Sequence, residues 1–215
     1  MKNIEINHRL SLNRVLAVLL CLAMCFTLIQ TTAFAADTNI EASTQQDIVD
    51  GLNNAQPGDN IVFELQNDMV LGEEQNSKII EIKEGVTATL INKEGVSVKI
   101  QRALSETSCF NIKGTLIVNE NTTSGGSLTF DGIDAVFGEY PQNFLEYSFF
   151  KVSGNTSSLI INGGKFTNNT SNYGVIYSCD GANTVVNGGT FSNNSNNSEM
   201  GGGGVLYMQQ IAPLQ

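Results

Sequence analysis

The side chains with the clearest potential for chemistry are two acids, Asp131 and Asp134, three residues apart in an acidic, aromatic stretch. Such a pair could hold a cation or act in hydrolysis, and a solvated acidic loop is the simpler explanation. Three tyrosines further along, Tyr173, Tyr177 and Tyr207, could stack against sugars or fill the edge of a core. These five residues are the candidate binding residues. No residue is predicted to be catalytic or to bind a resident metal.

Residues 1–35 have the pattern of a secretory signal peptide. Three basic residues precede an uncharged apolar run over 15–29, and small residues at Ala33 and Ala35 suit a signal peptidase. The run is short for a membrane-spanning helix. We therefore predict cleavage and a secreted or cell-surface protein, with an uncleaved N-terminal anchor as the alternative. The long basic segment before the run is typical of Gram-positive bacterial exporters.

Loss of that segment changes the chemistry available to the chain. It removes His8, the only histidine, together with Cys21 and Cys25, and it moves the formal net charge from −10 to −12. Without histidine, Ser-His-Asp and Cys-His catalysis and histidine-ligated zinc are excluded. The acidic charge repels phosphate groups, so we expect binding neither to nucleic acid nor to an anionic membrane after signal cleavage.

Two cysteines, Cys109 and Cys179, remain in the mature chain. Two thiols cannot make a four-cysteine zinc site. In an oxidising exterior they could form one disulfide. The alternative is two small buried apolar side chains, which is a common environment for cysteine.

A single helix is predicted near the start of the mature chain. Residues 36–43 are polar and are expected to form a loose linker. Residues 45–54 follow as a helix that Thr44 caps, with Asp47 three residues on in a capping-box pattern. Its apolar stripe is narrow, so the helix is expected to cover something rather than to form a core alone.

Short segments with alternating apolar residues follow the helix. Each is three to five residues long and is bounded by glycine, asparagine or aspartate, which is typical of strands and turns. Residues 131–147 break this rhythm and are interpreted as an inserted loop.

The later part of the chain contains an explicit repeat. LIINGGKFTNN over 159–169 returns as VVNGGTFSNN over 185–194, and GVIY over 174–177 returns as GVLY over 204–207. The offset grows from 25 to 30 residues through extra residues in the intervening turn, a pattern typical of solenoids. Such short rungs cannot bury their apolar residues alone, so stacking must form the core.

These features predict a parallel β-helix over 44–215, with the clearest repeats over 149–207 and with the helix covering its first rung. The alternative is an antiparallel sandwich. Stacking predicts ladders of identical side chains: Asn162 over Asn187, Phe166 over Phe191, and Asn168 over Asn193. The chain stops eight residues after Tyr207. We therefore expect a fragment of a longer surface protein, with an open last rung that can self-associate.

The sequence N-G-G-x-F-x-N-N followed by G-V-[IL]-Y resembles rungs of the pectin-lyase-like superfamily of right-handed parallel β-helix proteins. F-T-N-N and F-S-N-N are similar to the FxxN repeats of polymorphic outer-membrane proteins and adhesins. The resemblance implies a right-handed coil and an adhesin-like or structural protein that binds glycans or host and cell-surface proteins without a cofactor. The fold also hosts polysaccharide lyases and glycoside hydrolases. A lyase would need Ca²⁺ and a base, and Arg102 is the only arginine of the mature chain.

The N-x-[ST] pattern occurs at six asparagines that could accept glycans or serve only as turn and ladder residues: Asn121, Asn155, Asn168, Asn169, Asn193 and Asn196.

Overall fold

The structure is a computed structural model that describes residues 37–72, 79–103, 107–132, 148–196 and 203–209. The predicted signal peptide lies outside these ranges, as do Asp134 and residues 133–147 of the predicted inserted loop.

Three parallel sheets contain nearly all the strands. Sheet 1 is formed, in spatial order, by β1 (Asp37–Ala42), β2 (Asn60–Leu65), β5 (Thr87–Asn92), β8 (Thr115–Asn119), β11 (Ser158–Ile161) and β15 (Asn183–Val186). Sheet 2 is formed by β3 (Met69–Leu71), β6 (Ser97–Arg102), β9 (Ser127–Asp131), β12 (Lys165–Thr167) and β16 (Thr190–Ser192). Sheet 3 is formed by β4 (Ile80–Ile82), β7 (Phe110–Ile112), β10 (Phe150–Ser153), β14 (Ile176–Cys179) and β18 (Leu206–Met208). A fourth, two-stranded sheet pairs β13 (Thr170–Ser171) with β17 (Ser195–Asn196).

The chain visits sheets 1, 2 and 3 in turn and then starts again, so each passage forms one rung of a coil. Rung 1 contains β2, β3 and β4, and rung 5 contains β15, β16 and β18. Every strand pair in the described residues is parallel, for example Phe166 beside Phe191 between β12 and β16. The predicted parallel β-solenoid is therefore confirmed, and the antiparallel sandwich is wrong. The handedness of the coil stays a prediction.

The core is built by alternation along each short strand. Inward positions are apolar and buried, while their neighbours face outward. In sheet 2 the inward rings of Phe130, Phe166 and Phe191 stack at centroid distances of 4.9 and 4.7 Å. In sheet 3 Phe110 stacks on Phe150 at 5.2 Å. One continuous aromatic and aliphatic core therefore runs through successive rungs.

The only α-helix in the described part of the chain, α1 (Gln45–Asn54), covers one end of this coil. The predicted bounds and the capping box of Thr44 and Asp47 are confirmed. The helix packs on β1, β2, β3 and β4. Val49 is buried beside Ile48 and Leu52, so the apolar face is wider than the sequence stripe indicated. The helix thus shields the inward residues of rung 1 from water.

The prediction of a loose linker over 36–43 is wrong. Residues Asp37–Ala42 form β1, which pairs in parallel with β2 from Asp37 beside Asn60 to Ala42 beside Leu65. Its outward residues are exposed, and only Ala42 is fully buried, with Ile40 partly buried. Because β1 lies at the edge of sheet 1, backbone pairing rather than apolar side chains holds it in place.

The connections between sheets differ in length. The first corner, from sheet 1 to sheet 2, has three to seven residues, and the third corner, from sheet 3 to sheet 1, has two to four. The second corner, from sheet 2 to sheet 3, has seven to 18 residues: 72–79, 103–109, 132–149, 168–175 and 193–205. Length variation along the coil is therefore concentrated at the second corner, which lies opposite sheet 1.

Candidate functional site

The three predicted tyrosines meet on the outer side of sheet 3, next to the second corner. Tyr177 and Tyr207 are register partners on β14 and β18, because their outward positions stack in adjacent rungs. Tyr173 comes from the second-corner connection just before β14. Its ring lies 4.6 Å from that of Tyr177 and 5.0 Å from that of Tyr207 between centroids. We call these three residues the tyrosine cluster.

The tyrosine cluster has a buried floor and a partly exposed surface. Tyr177 is 3% exposed, its hydroxyl donates to the side-chain oxygen of Gln209, and the ammonium of Lys151 lies 5.8 Å from its ring centroid. Tyr173 and Tyr207 are only half-buried. A ligand can therefore reach Tyr173 and Tyr207, while Tyr177 supports them.

The predicted acid pair is not assembled within the described residues, since Asp134 lies outside them. Asp131 ends β9 on the outer side of sheet 2, beside Gln101 and Thr167. Its Oδ1 accepts a hydrogen bond from Asn168 Nδ2 at 3.1 Å. Arg102 is 3% exposed, and its Nη2 donates to the carbonyl of Thr107 at 3.1 Å, so the guanidinium lies inside the protein.

The structure places the predicted asparagines of the first corner in a ladder. Asn187 Nδ2 donates to Asn162 Oδ1 at 2.8 Å, and Asn162 Nδ2 donates to Asn119 Oδ1 at 2.8 Å. The ladder thus extends one rung beyond the sequence repeat. Asn119 is followed by Glu120 rather than by the Gly-Gly of the later rungs, which hid it in the sequence.

A second pair of predicted asparagines, Asn168 and Asn193, also lies in register. Both have left-handed backbone conformations, with φ of 56° and 54°, and Asn193 Nδ2 lies 3.5 Å from Asn168 Oδ1. Asparagine tolerates this conformation better than most residues. These two residues therefore serve mainly as turn residues with a long amide contact.

Sequence reasoning missed the buried ladder formed by the next residues, Asn169 and Asn194. Asn169 is 1% exposed and donates through its backbone N and its Nδ2 to Asn194 Oδ1, at 3.0 and 3.1 Å. Asn194 Nδ2 donates to the carbonyl of Phe166 at 2.8 Å. The final asparagine of FxxN was the available signal, because it is the position that turns inward.

Glu120 and Asn92 brace the first corner, and neither was singled out from the sequence. The carboxylate of Glu120 accepts from the backbone N of Leu128 at 3.1 Å and of Gly164 at 3.3 Å. Asn92 is 1% exposed, and it donates to the carbonyl of Asn121 and accepts from its backbone N, both at 2.8 Å. Charge-assisted and buried amide bonds thus tie neighbouring rungs together at this corner.

The predicted disulfide is wrong: Cys109 and Cys179 are both free thiols. Cys109 precedes β7 in rung 2, and Cys179 ends β14 in rung 4. Two rung spacings separate them by ~9.6 Å across the sheet, beyond the ~7 Å that a disulfide can bridge. Burial raises the pKa of Cys109 to about 12 and that of Cys179 to about 11, so both remain protonated at neutral pH.

Within the described ranges, no three side chains of histidine, cysteine, aspartate or glutamate lie together as a metal site. No helix in those ranges has the length and hydropathy of a membrane span. Comparison with protein-family models, with curated proteins and with solved structures found no significant match to this chain.

Proposed function

We propose that this protein is exported and acts outside the cell, or on its surface, as an adhesin-like or structural β-solenoid that binds glycans or surface partners. The resemblance of its repeats to those of polymorphic outer-membrane proteins, adhesins and pectin-lyase-like proteins supports this role. So does the signal-peptide pattern of residues 1–35.

The observation that carries the proposal is the position of the tyrosine cluster. Insertions in a solenoid collect on one side, which is often the binding side. Here the variable connections all leave the coil at the second corner. Tyr173 belongs to that corner, and Tyr207 lies beside it on sheet 3. A tyrosine offers an apolar ring for the carbon–hydrogen face of a sugar and a hydroxyl for its polar groups.

The cluster also sits on a rigid support. Tyr177 packs beneath Tyr173, and the strands β14 and β18 fix Tyr177 and Tyr207 in register. Rings held in this way lose little conformational freedom on binding. Weak contacts with repeated sugar units then suffice for adhesion, because several contacts made together raise the overall avidity.

The test uses the secreted mature chain on immobilised glycans, mucin and whole cells. Replacement of one partly exposed ring, Tyr207→Ala or Tyr173→Ala, removes a stacking contact worth ~0.5–1.5 kcal/mol. Retention should therefore weaken by about twofold to tenfold. Lys165→Ala, which removes an exposed side chain from sheet 2, is the matched control and should leave retention unchanged.

Two results would count against the proposal. One is the absence of retention on every surface tested. The other is an equal loss of retention in the Lys165→Ala control. In parallel, incubation with polygalacturonate and other uronates in the presence of calcium tests cleavage, since a lyase releases an unsaturated, ultraviolet-absorbing product.

A further inference from the structure

The outer face of sheet 1 carries no charged side chain over four successive rungs. In β5, β8, β11 and β15, and in the asparagines that follow β11 and β15, the outward positions form three columns. These columns contain Thr87, Thr115, Ser158 and Asn183; then Thr89, Ile117, Ile160 and Val185; then Ile91, Asn119, Asn162 and Asn187. We call this surface the uncharged face.

The uncharged face contrasts with the rest of the coil. Lys99, Asp131 and Lys165 lie on the outer side of sheet 2, and Glu81 and Lys151 lie on that of sheet 3. The whole chain has a formal net charge of −10. Two such chains repel one another, and they can approach closely only where the surface is free of charge.

We propose that the uncharged face joins two copies of this chain face to face. Its middle column is aliphatic from rung 3 to rung 5 and is half-buried, and it is flanked by a mainly hydroxyl column and a mainly amide column. A two-fold axis parallel to the coil sets the middle columns of both copies against each other. The same axis places hydroxyls of one copy opposite amides of the other, so donors and acceptors are matched in a self-complementary interface.

The size of the face sets the strength of this association. Four strands at ~4.8 Å and three outward positions at ~6.6 Å give about 400 Å² of planar surface for each copy. Together the two copies bury about 800 Å², below the ~1,200–2,000 Å² of stable interfaces. The dimer is therefore weak and depends on concentration. The uncharged face lies opposite the second corner, so both tyrosine clusters point outward and remain available.

The experiment is sedimentation equilibrium of the mature chain from about 10 µM to about 1 mM, a range suited to weak association. The wild-type chain should dimerise, and added salt should strengthen the dimer by screening the repulsion between two acidic chains. Ile160→Lys places an unpaired charge in the middle column and should lower the association constant at least about tenfold. Thr129→Lys makes a matched change on sheet 2 and should leave that constant unaltered.

Several outcomes would overturn the proposal: a wild-type chain that stays monomeric throughout, a dimer that salt weakens, or an Ile160→Lys variant that associates like wild type. Met208→Lys separates this interface from an open last rung, because Met208 is 61% exposed in rung 5. Loss of the dimer in Met208→Lys alone would place the contact at the end of the coil. Circular dichroism checks that each variant is folded, and the salt dependence decides the question if Ile160→Lys is not.

Discussion

Rungs 4 and 5 have nearly the same sequence, yet their inward residues lie in different environments. Phe166 and Ile161 of rung 4 are fully buried. Their register partners in rung 5 are Phe191, which is partly exposed, and Val186, which is 47% exposed. Rung 4 has described strands on both sides, whereas rung 5 pairs with described strands on one side only.

This difference shows that a rung does not bury its own apolar residues. Burial comes from the neighbouring rungs, as expected of a quasi-one-dimensional array. The stability that a side chain contributes should therefore depend on its place in the stack more than on its identity. Matched substitutions in the two rungs test this.

The largest contrast is expected for the stacked phenylalanines. Phe166→Ala opens a cavity between Phe130 and Phe191 and should lower the free energy of unfolding by ~3–5 kcal/mol. Phe191→Ala removes a ring that is already partly exposed and should cost less than about 2 kcal/mol. Urea denaturation of both variants measures the two losses. Equal losses would break the comparison.

A smaller contrast is expected between the two asparagine ladders of the second corner. Asn169→Ala removes buried amide bonds to Asn194 and to the carbonyl of Thr167, and it should cost ~1–3 kcal/mol. Asn193→Ala loses one long, exposed contact and some preference for the left-handed backbone, so the cost should stay below about 1 kcal/mol. Thermal unfolding ranks the two variants, and the reverse ranking would contradict the assigned roles.

The smallest effect concerns the opposite end of the coil, which α1 covers. Hydrogen bonds from the backbone of Ser43 and from Thr44 hold the pKa of Asp47 below its ordinary value of 3.8. Its stabilising effect is thus complete above pH 3.8 and is lost as the pH falls through the lowered value. Asp47→Asn should be less stable than wild type by at most about 1 kcal/mol at pH 6.

That difference should shrink as the pH falls below 4, because the wild-type carboxyl then becomes neutral too. Unfolding midpoints at several pH values follow it. A difference that is constant with pH would show that the charge of Asp47 is not what stabilises the cap.

Much of this architecture was predictable from the sequence. The capping pattern at Thr44 and Asp47 specified the helix, and the offset of 25 residues specified the register of Phe166 with Phe191. Both depend on local chemistry or on an exact repeat. The strand β1 was not predictable in this way, because an edge strand needs few apolar residues and is held by backbone pairing.

The candidate site was less predictable. The tyrosines were found by residue type, but only the fold shows that Tyr177 is the buried floor of the cluster. The uncharged face was not apparent, because its residues are dispersed from Thr87 to Asn187 and become neighbours only when the rungs stack. The separation of Cys109 from Cys179 likewise depends on counting rungs.

The register between rungs 4 and 5 is the central claim, and an engineered disulfide tests it most directly. Lys165 and Thr190 are register partners with exposed side chains on β12 and β16. Their Cα atoms should lie ~4.8 Å apart, within the range of a disulfide. In a background with Cys109 and Cys179 replaced by alanine, Lys165→Cys with Thr190→Cys should cross-link under mild oxidation. No cross-link in that pair, together with ready formation between Lys165→Cys and Ser192→Cys, would contradict the parallel stack in this register.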